Sequence, residues 1–147
     1  MKLAPELLEQ IVEHARREAP DECCGLIGVR DDAAVSIHPA VNQAASPFRF
    51  EIGGKDLLVA MHLEDAGEAP GAIYHSHTRS DPYPSQTDVN FAKDWPGWEW
   101  LIVGLAGEEP ELRSYLIEAG VVREVALVDR AGRPASASER RPDGGKG

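Results

Sequence analysis

The sequence predicts a single α/β domain in which helices flank a mixed β-sheet. Helical patterns and short apolar strands alternate along the chain, which is typical of domains that pack helices against a sheet. The length of 147 residues is that of one domain. The hydrophobic content of 42% suffices for a folded core, and no apolar run approaches the ~20 residues that span a bilayer.

The first half of the chain predicts two helices, a hairpin and a strand. Residues 5–18 carry apolar side chains at helical spacing, with Pro5 suited to the first turn and Pro20 beyond the end. The apolar run 24–29 and its partner 34–39 flank a polar turn and predict a hairpin. The sequence then predicts an extended stretch at 48–52, a helix over 55–64 that buries Leu57, Leu58, Met61 and Leu63, and a strand over 71–77.

The second half predicts a third helix, three strands and a tail. Ser85 opens the helix in a segment that resembles a capping box, with Asp88 as its acid, and the helix ends near Trp95. Strands are predicted over 98–105, 112–117 and 121–129. Residues 131–147 are rich in Gly, Pro, Ser and Arg without an apolar pattern. We therefore expect a folded domain over 1–130 and a disordered tail over 131–147.

Charge and cysteine content restrict the partners and the cellular setting. The net charge is −10, and residues 1–130 hold 11 Lys and Arg against 23 Asp and Glu. An acidic body disfavours binding to nucleic acid or to an anionic membrane surface. The two cysteines, Cys23 and Cys24, are sequence neighbours and form no disulfide framework. With no signal peptide at the N-terminus, this predicts a reducing, cytoplasmic setting.

Two of the five histidines form a pair that could bind a metal ion. His75 and His77 lie two residues apart at the end of a predicted strand, so both side chains project from one face. On its own the pair is weak evidence for a metal site, and incidental polar residues at a strand end are the favoured alternative. The other three occur singly and are expected at surface or partly buried positions: His14, His38 and His62.

Asp88 strengthens the interpretation of the histidine pair as part of a metal site. It lies in the first turn of the next helix, and the intervening loop can fold its carboxylate back over the strand end. Two imidazoles and one carboxylate make three zinc ligands and leave a fourth position for water, which is typical of catalytic sites. Asp88 could instead serve only as the acid of the capping box, although a carboxylate has oxygens for both roles.

Two further residues are candidates for catalysis. Ser85 is either the N-cap of the third helix or a hydroxyl that donates to the oxyanion of a tetrahedral intermediate, and the spacing does not rank these roles. Glu22 immediately precedes the first core strand. Burial there would raise the pKa of its carboxyl and suit it to transfer a proton.

These residues together resemble a known family. His75-Ser76-His77, seven residues, Ser85, two residues and Asp88 match the HxH-x7-S-x2-D pattern of the JAMM (MPN+) metalloproteases, also called the Mov34/PAD-1 family. The upstream stretch 20–28, PDECCGLIG, is similar to the family's Glu-bearing segment. The resemblance implies that His75, His77 and Asp88 bind Zn²⁺, that Glu22 is the general acid/base and that Ser85 stabilises the oxyanion. It also implies a cytidine-deaminase-like fold with a curved mixed sheet.

The short length and the stretch 42–50 look like the small stand-alone bacterial members of this family. That resemblance implies a zinc peptidase or isopeptidase that cuts after the C-terminal diglycine of a ubiquitin-fold or sulfur-carrier protein. A tail without Cβ atoms fits a narrow groove and can add to a sheet edge. Four aromatic residues are candidates for the surface that meets the carrier, with core packing as their alternative: Phe48, Phe50, Tyr83 and Trp98.

Three other functions compete with this reading. A cysteine hydrolase would use Cys24, but a thiol within an apolar strand is usually inert. A nucleoside deaminase would need a CxxC motif, which the sequence lacks. A non-catalytic zinc module that binds a ubiquitin-like partner would keep the same metal ligands without turnover.

Overall fold

The computed structural model describes residues 1–135, and its centre is a six-stranded mixed sheet. The strands lie in the order β2-β1-β3-β4-β5-β6. Strands β3 and β4 are parallel, and every other neighbouring pair is antiparallel. The strands are β1 (Cys24–Arg30), β2 (Ala33–Ala40), β3 (Ala72–His77), β4 (Glu99–Gly104), β5 (Glu111–Glu118) and β6 (Val121–Val125).

Helices pack on both faces of this sheet. Helix α1 (Pro5–Glu18) contacts β2, β3 and β4 on one face. Helix α2 (Gly54–Asp65) contacts β1, and α3 (Gln86–Phe91) continues into a 3-10 turn over Ala92–Asp94. Because side chains alternate along a strand, the buried residues divide into two cores, one on each side of the sheet.

Helix α1 forms where the sequence predicts it, and it covers the first core. Pro5 stands in the first turn, where its missing N–H costs no hydrogen bond. Leu8, Ile11 and Ala15 recur at helical spacing and are buried in one cluster with Tyr74 of β3. The Tyr74 ring lies against the backbone of Gly25, and a Cβ atom at residue 25 would collide with this ring.

The hairpin and the central strands confirm the predicted mixed α/β class. The structure differs from the prediction in helix α2, where Leu57, Leu58 and Met61 are 47%, 56% and 59% exposed. Only Leu63 of the four residues expected inside is buried. Five consecutive apolar residues, 57–61, spread around the whole circumference of this helix, so the pattern marks no single inner face.

The boundary of the last predicted strand differs in the structure. The stretch 48–52 lies in a loop, and the helical run that starts at Gln86 ends near Trp95 as predicted, with a 3-10 turn over Ala92–Asp94. The last strand ends at Val125. Residues 126–128 instead bond to the start of the chain, where Leu3 N–H donates to Val128 O at 2.8 Å.

The first five residues of the predicted tail are bonded to the domain. Asp129 Oδ1 accepts from the backbone N–H groups of Ala131 and Arg133, at 2.8 and 3.0 Å. The N–H of Ala135 donates to Leu127 O at 2.9 Å. The rest of that tail, 136–147, lies outside the described residues. Over residues 1–135, no helix is both long and apolar enough to cross a membrane.

Candidate metal centre and active site

Strand β3 places His75 and His77 on the sheet face opposite helix α1. His75 pairs with Cys24 of β1 and His77 pairs with Gly104 of β4, so both histidines are held by the two neighbouring strands. His75 is fully buried and His77 is 5% exposed. The period of two in a strand therefore produces the shared face that the sequence predicted.

Helix α3 brings Asp88 to the same point through its capping box. Ser85 Oγ accepts from the Asp88 N–H at 3.1 Å, and Asp88 Oδ2 accepts from the Ser85 N–H at 2.9 Å. The same Oδ2 lies 3.1 Å from His75 Nε2 and 3.3 Å from His77 Nε2. One carboxylate oxygen thus caps the helix and faces the histidines, rather than each oxygen taking one role.

These three atoms match the ligand set of a catalytic zinc site. The two Nε2 atoms are 3.2 Å apart, so the triangle formed with Asp88 Oδ2 has sides of 3.1, 3.2 and 3.3 Å. Ligands about 2.0–2.1 Å from a tetrahedral ion lie about 3.3 Å from one another. A cluster of two imidazole nitrogens and one carboxylate oxygen therefore has both the size and the donor chemistry to hold Zn²⁺.

The loop after β3 fixes the orientation of His77. Its Nδ1 lies 2.9 Å from the backbone oxygen of Asp81, and a carbonyl can only accept, so Nδ1 carries the proton. In the neutral form of the ring, Nε2 would then carry the lone pair that a metal ligand requires. The loop itself packs on the end of β4, where a Cβ at Gly104 would come within 2.8 Å of Pro82. Tyr115 holds it there by donating to Pro82 O at 2.5 Å.

Electrostatics keep the carboxylate of this cluster ionised. Burial works to raise the pKa of Asp88, but the charge of His75 and the hydrogen bonds to both imidazoles outweigh it and leave that pKa far below its usual range. Burial works to lower the pKa of His77, but the hydrogen bonds to Asp88 and Asp81 leave it raised. The negative charge of the buried Asp88 carboxylate therefore favours binding of a cation between Asp88 and the two histidines.

Glu22 lies beside the cluster with an unused acceptor. It is 4% exposed, and its Oε1 is buried without a hydrogen-bond partner among the described residues. Burial raises the pKa of its carboxyl to about 8; the nearby charge of Asp88 adds to this shift and that of His77 opposes it. A carboxyl group with a pKa near neutrality can both take and release a proton.

The structure shows one of the two roles that the sequence left open for Ser85. Its Oγ accepts from the Asp88 N–H, which makes it the N-cap of α3. The hydroxyl proton is not used in any hydrogen bond that the described residues make, so it remains free to donate. The capping role is thus observed, and the geometry allows the hydroxyl to donate to a bound group.

Sequence reasoning missed two residues that support the site. Asn42 Nδ2 donates to Glu22 O at 2.9 Å and to Arg49 O at 3.0 Å, which ties the following loop to the base of the site. Phe50 stacks on His75 with ring centroids 4.6 Å apart. No sequence pattern predicts that an Asn in a loop will form these hydrogen bonds. Phe50 is noticeable in the sequence as an aromatic residue, but nothing there predicts that it packs on His75.

The four aromatic candidates for a carrier-facing surface divide into two pairs. Phe48 and Tyr83 are 71% and 57% exposed and are available to a partner. Phe50 is buried against His75, and Trp98 packs on Trp95 with centroids 5.0 Å apart. The packing alternative therefore holds for Phe50 and Trp98, whereas the surface role of Phe48 and Tyr83 stays a prediction.

Two cysteines and one histidine are also buried outside the metal cluster. Cys23 and Cys24 are free and fully buried, and burial raises the pKa of each thiol to about 12. A thiol in this state is a poor nucleophile, which argues against the cysteine-hydrolase alternative. His14 is buried rather than at the surface. Its Nδ1 forms a hydrogen bond of 2.7 Å with the Tyr74 hydroxyl.

Comparison with known proteins identifies the family. The family model described as prokaryotic homologues of the JAB domain matches residues 4–118. The CysO-cysteine peptidase of Mycobacterium tuberculosis is 40% identical over 81% of this chain and 84% of its own length. The desampylase of Haloferax volcanii is 36% identical over 69% of this chain and 78% of its own.

The fold agrees with this assignment. A JAB1/MPN domain protein from Archaeoglobus fulgidus superposes with a TM-score of 0.60 at 22% identity, covering 88% of this chain and 98% of its own. That likeness concerns the fold alone, and it confirms the predicted domain class. The chain therefore belongs to the family of prokaryotic homologues of the JAB domain.

Proposed function

We propose that this chain is a zinc-dependent peptidase that hydrolyses the bond after the C-terminal diglycine of a ubiquitin-fold or sulfur-carrier protein. The class of hydrolase follows from its relatives, which include a CysO-cysteine peptidase and a desampylase. The carrier substrate, the zinc ion and a cytoplasmic setting are the parts that we add. The donor cluster and the sequence motif support the zinc ion, the named relatives support the carrier substrate, and the two free cysteines support the cytoplasmic setting.

His75, His77 and Asp88 would hold the metal. Two neutral imidazoles and one carboxylate leave part of the coordination sphere for water and substrate, which distinguishes catalytic from structural zinc sites. When bound, zinc acts as a Lewis acid toward a carbonyl and makes water a stronger acid.

Glu22 and Ser85 would supply the proton transfer and the oxyanion contact. The amide C–N bond after the diglycine breaks, the hydroxyl of water joins the glycine carbonyl carbon, and the amine leaves. Glu22 takes the proton of the attacking water at Oε1 and returns it to the leaving amine. Ser85 donates its free hydroxyl proton to the developing oxyanion, a contact typically worth about 3–4 kcal/mol.

One observation carries this proposal. A buried carboxyl oxygen without a partner stands next to a triangle of three inward-facing donor atoms. A purely structural site would leave Glu22 with the cost of an unsatisfied buried acceptor and no compensating role. A site that positions water beside Glu22 would give that acceptor its partner during turnover.

The test combines metal content with cleavage of a diglycine-extended carrier. We expect wild-type protein to bind about one zinc ion per chain and to cleave the carrier. Glu22→Gln should keep zinc and lose about 10²–10⁴-fold in kcat. His77→Ala should lose both zinc and activity. His62→Ala, which changes an exposed histidine on α2, is the matched control and should keep both.

Two outcomes would contradict the proposal. Full turnover by Glu22→Gln would remove Glu22 from the proton transfer, and full zinc content in His77→Ala would remove His77 from the ligands. Wild-type protein that binds both zinc and carrier but never cleaves it would favour the non-catalytic zinc module instead.

A further inference from the structure

The two histidines of the metal cluster are oriented in different ways. The Nδ1 atom of His77 lies 2.9 Å from the carbonyl oxygen of Asp81, which fixes that ring. The Nδ1 atom of His75 is buried and has no hydrogen-bond partner within residues 1–135. A metal-bound imidazole usually donates its second N–H to a carbonyl, a carboxylate or water, and this bond sets the ring orientation. Rotation about the bond to an imidazole ring is otherwise only weakly restricted, so the orientation of His75 depends on its other contacts.

The Phe50 ring is the contact that restricts His75. The two rings are stacked, with centroids 4.6 Å apart and an angle of 28° between their planes. Trp100 meets the imidazole from another direction, edge on, with centroids 6.4 Å apart. All three side chains are buried. Turning the imidazole about its Cβ–Cγ bond would push a ring edge into the stacked Phe50 face, because a packed core leaves no space for that rotation.

Phe50 is held in turn by the helix that provides the third ligand. Its ring stacks on Phe91 of α3, with centroids 5.2 Å apart and an angle of 17° between the planes. Phe91 lies three residues after Asp88, a separation that places two residues on the same side of a helix. The Phe50 ring therefore contacts a ligand from β3 and a residue of the helix that carries Asp88.

Asn42 fixes the backbone on both sides of Phe50. Its Oδ1 accepts from the Glu51 N–H at 3.0 Å, and its Nδ2 donates to the Arg49 carbonyl at 3.0 Å. The same Nδ2 donates to the backbone oxygen of Glu22 at 2.9 Å. One amide side chain thus joins the segment that carries the stacked ring to the segment that carries the buried carboxyl group.

We propose that Phe50 is a positioning residue for His75, and that Asn42 links the Phe50 ring to the backbone of Glu22. Loss of the ring should weaken metal binding even though Phe50 provides no ligand atom, because the imidazole would no longer be held in the orientation that binding requires. This inference rests on the proposed function, since it takes the cluster to bind zinc. It adds two residues that position the ligand and the base without touching metal or substrate.

The first experiment measures the zinc dissociation constant of the full-length protein by competition with a chelator. Phe50→Leu keeps an apolar side chain but removes the flat ring, and zinc affinity should fall about tenfold, as when a metal-bound histidine loses its supporting partner. Phe48→Leu changes an exposed aromatic residue of the same loop and should leave the affinity unchanged. Leu8→Ala opens a cavity on the opposite face of the sheet, so it should lower stability without changing zinc affinity.

The second measurement is the visible absorption spectrum of the protein loaded with Co²⁺ in place of zinc. The spectrum depends on the geometry of the ligands. Phe50→Leu should change it because His75 is held less firmly, whereas Phe48→Leu and Leu8→Ala should reproduce the wild-type spectrum. A loss of stability alone would not produce this difference between the variants.

Asn42→Ala tests the link between the ring and the base. Zinc affinity should fall in this variant, because the backbone on both sides of Phe50 is released. At saturating zinc, kcat for a diglycine-extended carrier should fall further than in Phe50→Leu, because Asn42→Ala also releases the backbone of Glu22. Wild-type zinc affinity in Asn42→Ala would overturn the link.

The outcomes separate this inference from the function on which it rests. A wild-type protein that binds no zinc would overturn the proposed function, and one that binds zinc without cleaving a carrier would overturn only its peptidase part. Wild-type zinc affinity and an unchanged Co²⁺ spectrum in Phe50→Leu would overturn the role of Phe50. An equal loss of affinity in Leu8→Ala would assign the effect to stability. If Phe50→Leu fails to fold, Phe50→Met provides the same comparison, because methionine fills irregular space in a core without a ring face.

Discussion

At the scale of single residues, the His14–Tyr74 pair is a buried polar contact far from the metal cluster. The Tyr74 hydroxyl and His14 Nδ1 share a hydrogen bond of 2.7 Å, and their rings meet edge to face. Burial lowers the pKa of His14, with the positive charge of Arg17 adding to the effect. Burial raises the pKa of Tyr74, so the phenol stays protonated. The folded state therefore favours a neutral His14.

This pair predicts that acid destabilises the fold through His14. Because the pKa of His14 is lower in the folded state, its stabilising contribution is complete above the unfolded pKa of about 6.5 and is lost as pH falls. Between about pH 7.5 and pH 5, wild type should lose more free energy of unfolding than His14→Gln. Urea denaturation with a chelator present measures this. Parallel pH curves for the two proteins would contradict the prediction.

The residues of the candidate site were predictable in part. The spacing of His75, His77 and Asp88 follows from the period of a strand and from a helix start, and the structure brings all three together. The supporting contacts were not predictable, because they come from backbone groups and loops. The carbonyl of Asp81 orients His77, and Asn42 ties a distant loop to Glu22. Neither contact depends on a pattern that one sequence displays.

At the scale of elements, helix α2 shows where the pattern of apolar and polar residues fails to predict which side chains are buried. The sequence offers apolar residues on all sides of this helix, so periodicity does not select a face. Val59 and Ala60 are half-buried and Leu63 is buried, whereas Leu57, Leu58 and Met61 point outward. Strands were easier to predict, because β3 and β4 are buried on both faces and read as short apolar runs.

The orientation of α2 predicts that leucine-to-alanine substitutions at residues 63 and 58 lower the free energy of unfolding by unequal amounts. Leu63→Ala leaves a cavity in the core against the sheet and should lower the free energy of unfolding by about 2–4 kcal/mol. Leu58→Ala, in the same helix, should change it by less than about 0.5 kcal/mol because its side chain is in water. Chemical denaturation of both variants provides the measurement. Equal losses would mean that the inward face predicted from the sequence is the correct one.

At the scale of the whole molecule, the first residues of the chain link the two ends of the sheet. Lys2 forms parallel bridges with Ala33 of the edge strand β2 and with Val128, which follows the other edge strand. The N–H of Val128 in turn donates to Met1 O at 3.1 Å. Sequence patterns describe local elements and cannot show such pairing between distant segments. The predicted strand over 121–129 therefore continued past the point where the chain leaves β6.

The same region predicts where the folded domain ends. Leu127 packs against the first core and accepts from the Ala135 N–H, and Val128 forms an antiparallel bridge with Pro134. The turn between them is held by Asp129, which accepts from Arg133. Residues 131–135 thus cover the segment that joins the chain start to the sheet. A boundary at 130, as predicted from composition, would remove these contacts.

Two truncations test this boundary against each other, and both lack residues 136–147. A chain that ends at residue 135 keeps the contacts to Leu127 and Asp129, whereas a chain that ends at residue 130 loses them. We expect the shorter chain to be less stable by about 1–3 kcal/mol, which corresponds to a Tm lower by several degrees for a domain of this size. Thermal unfolding of the two proteins without metal gives the comparison. Equal Tm values would instead place the end of the cooperative fold at residue 130, and residues 131–135 would then add no stability despite their hydrogen bonds.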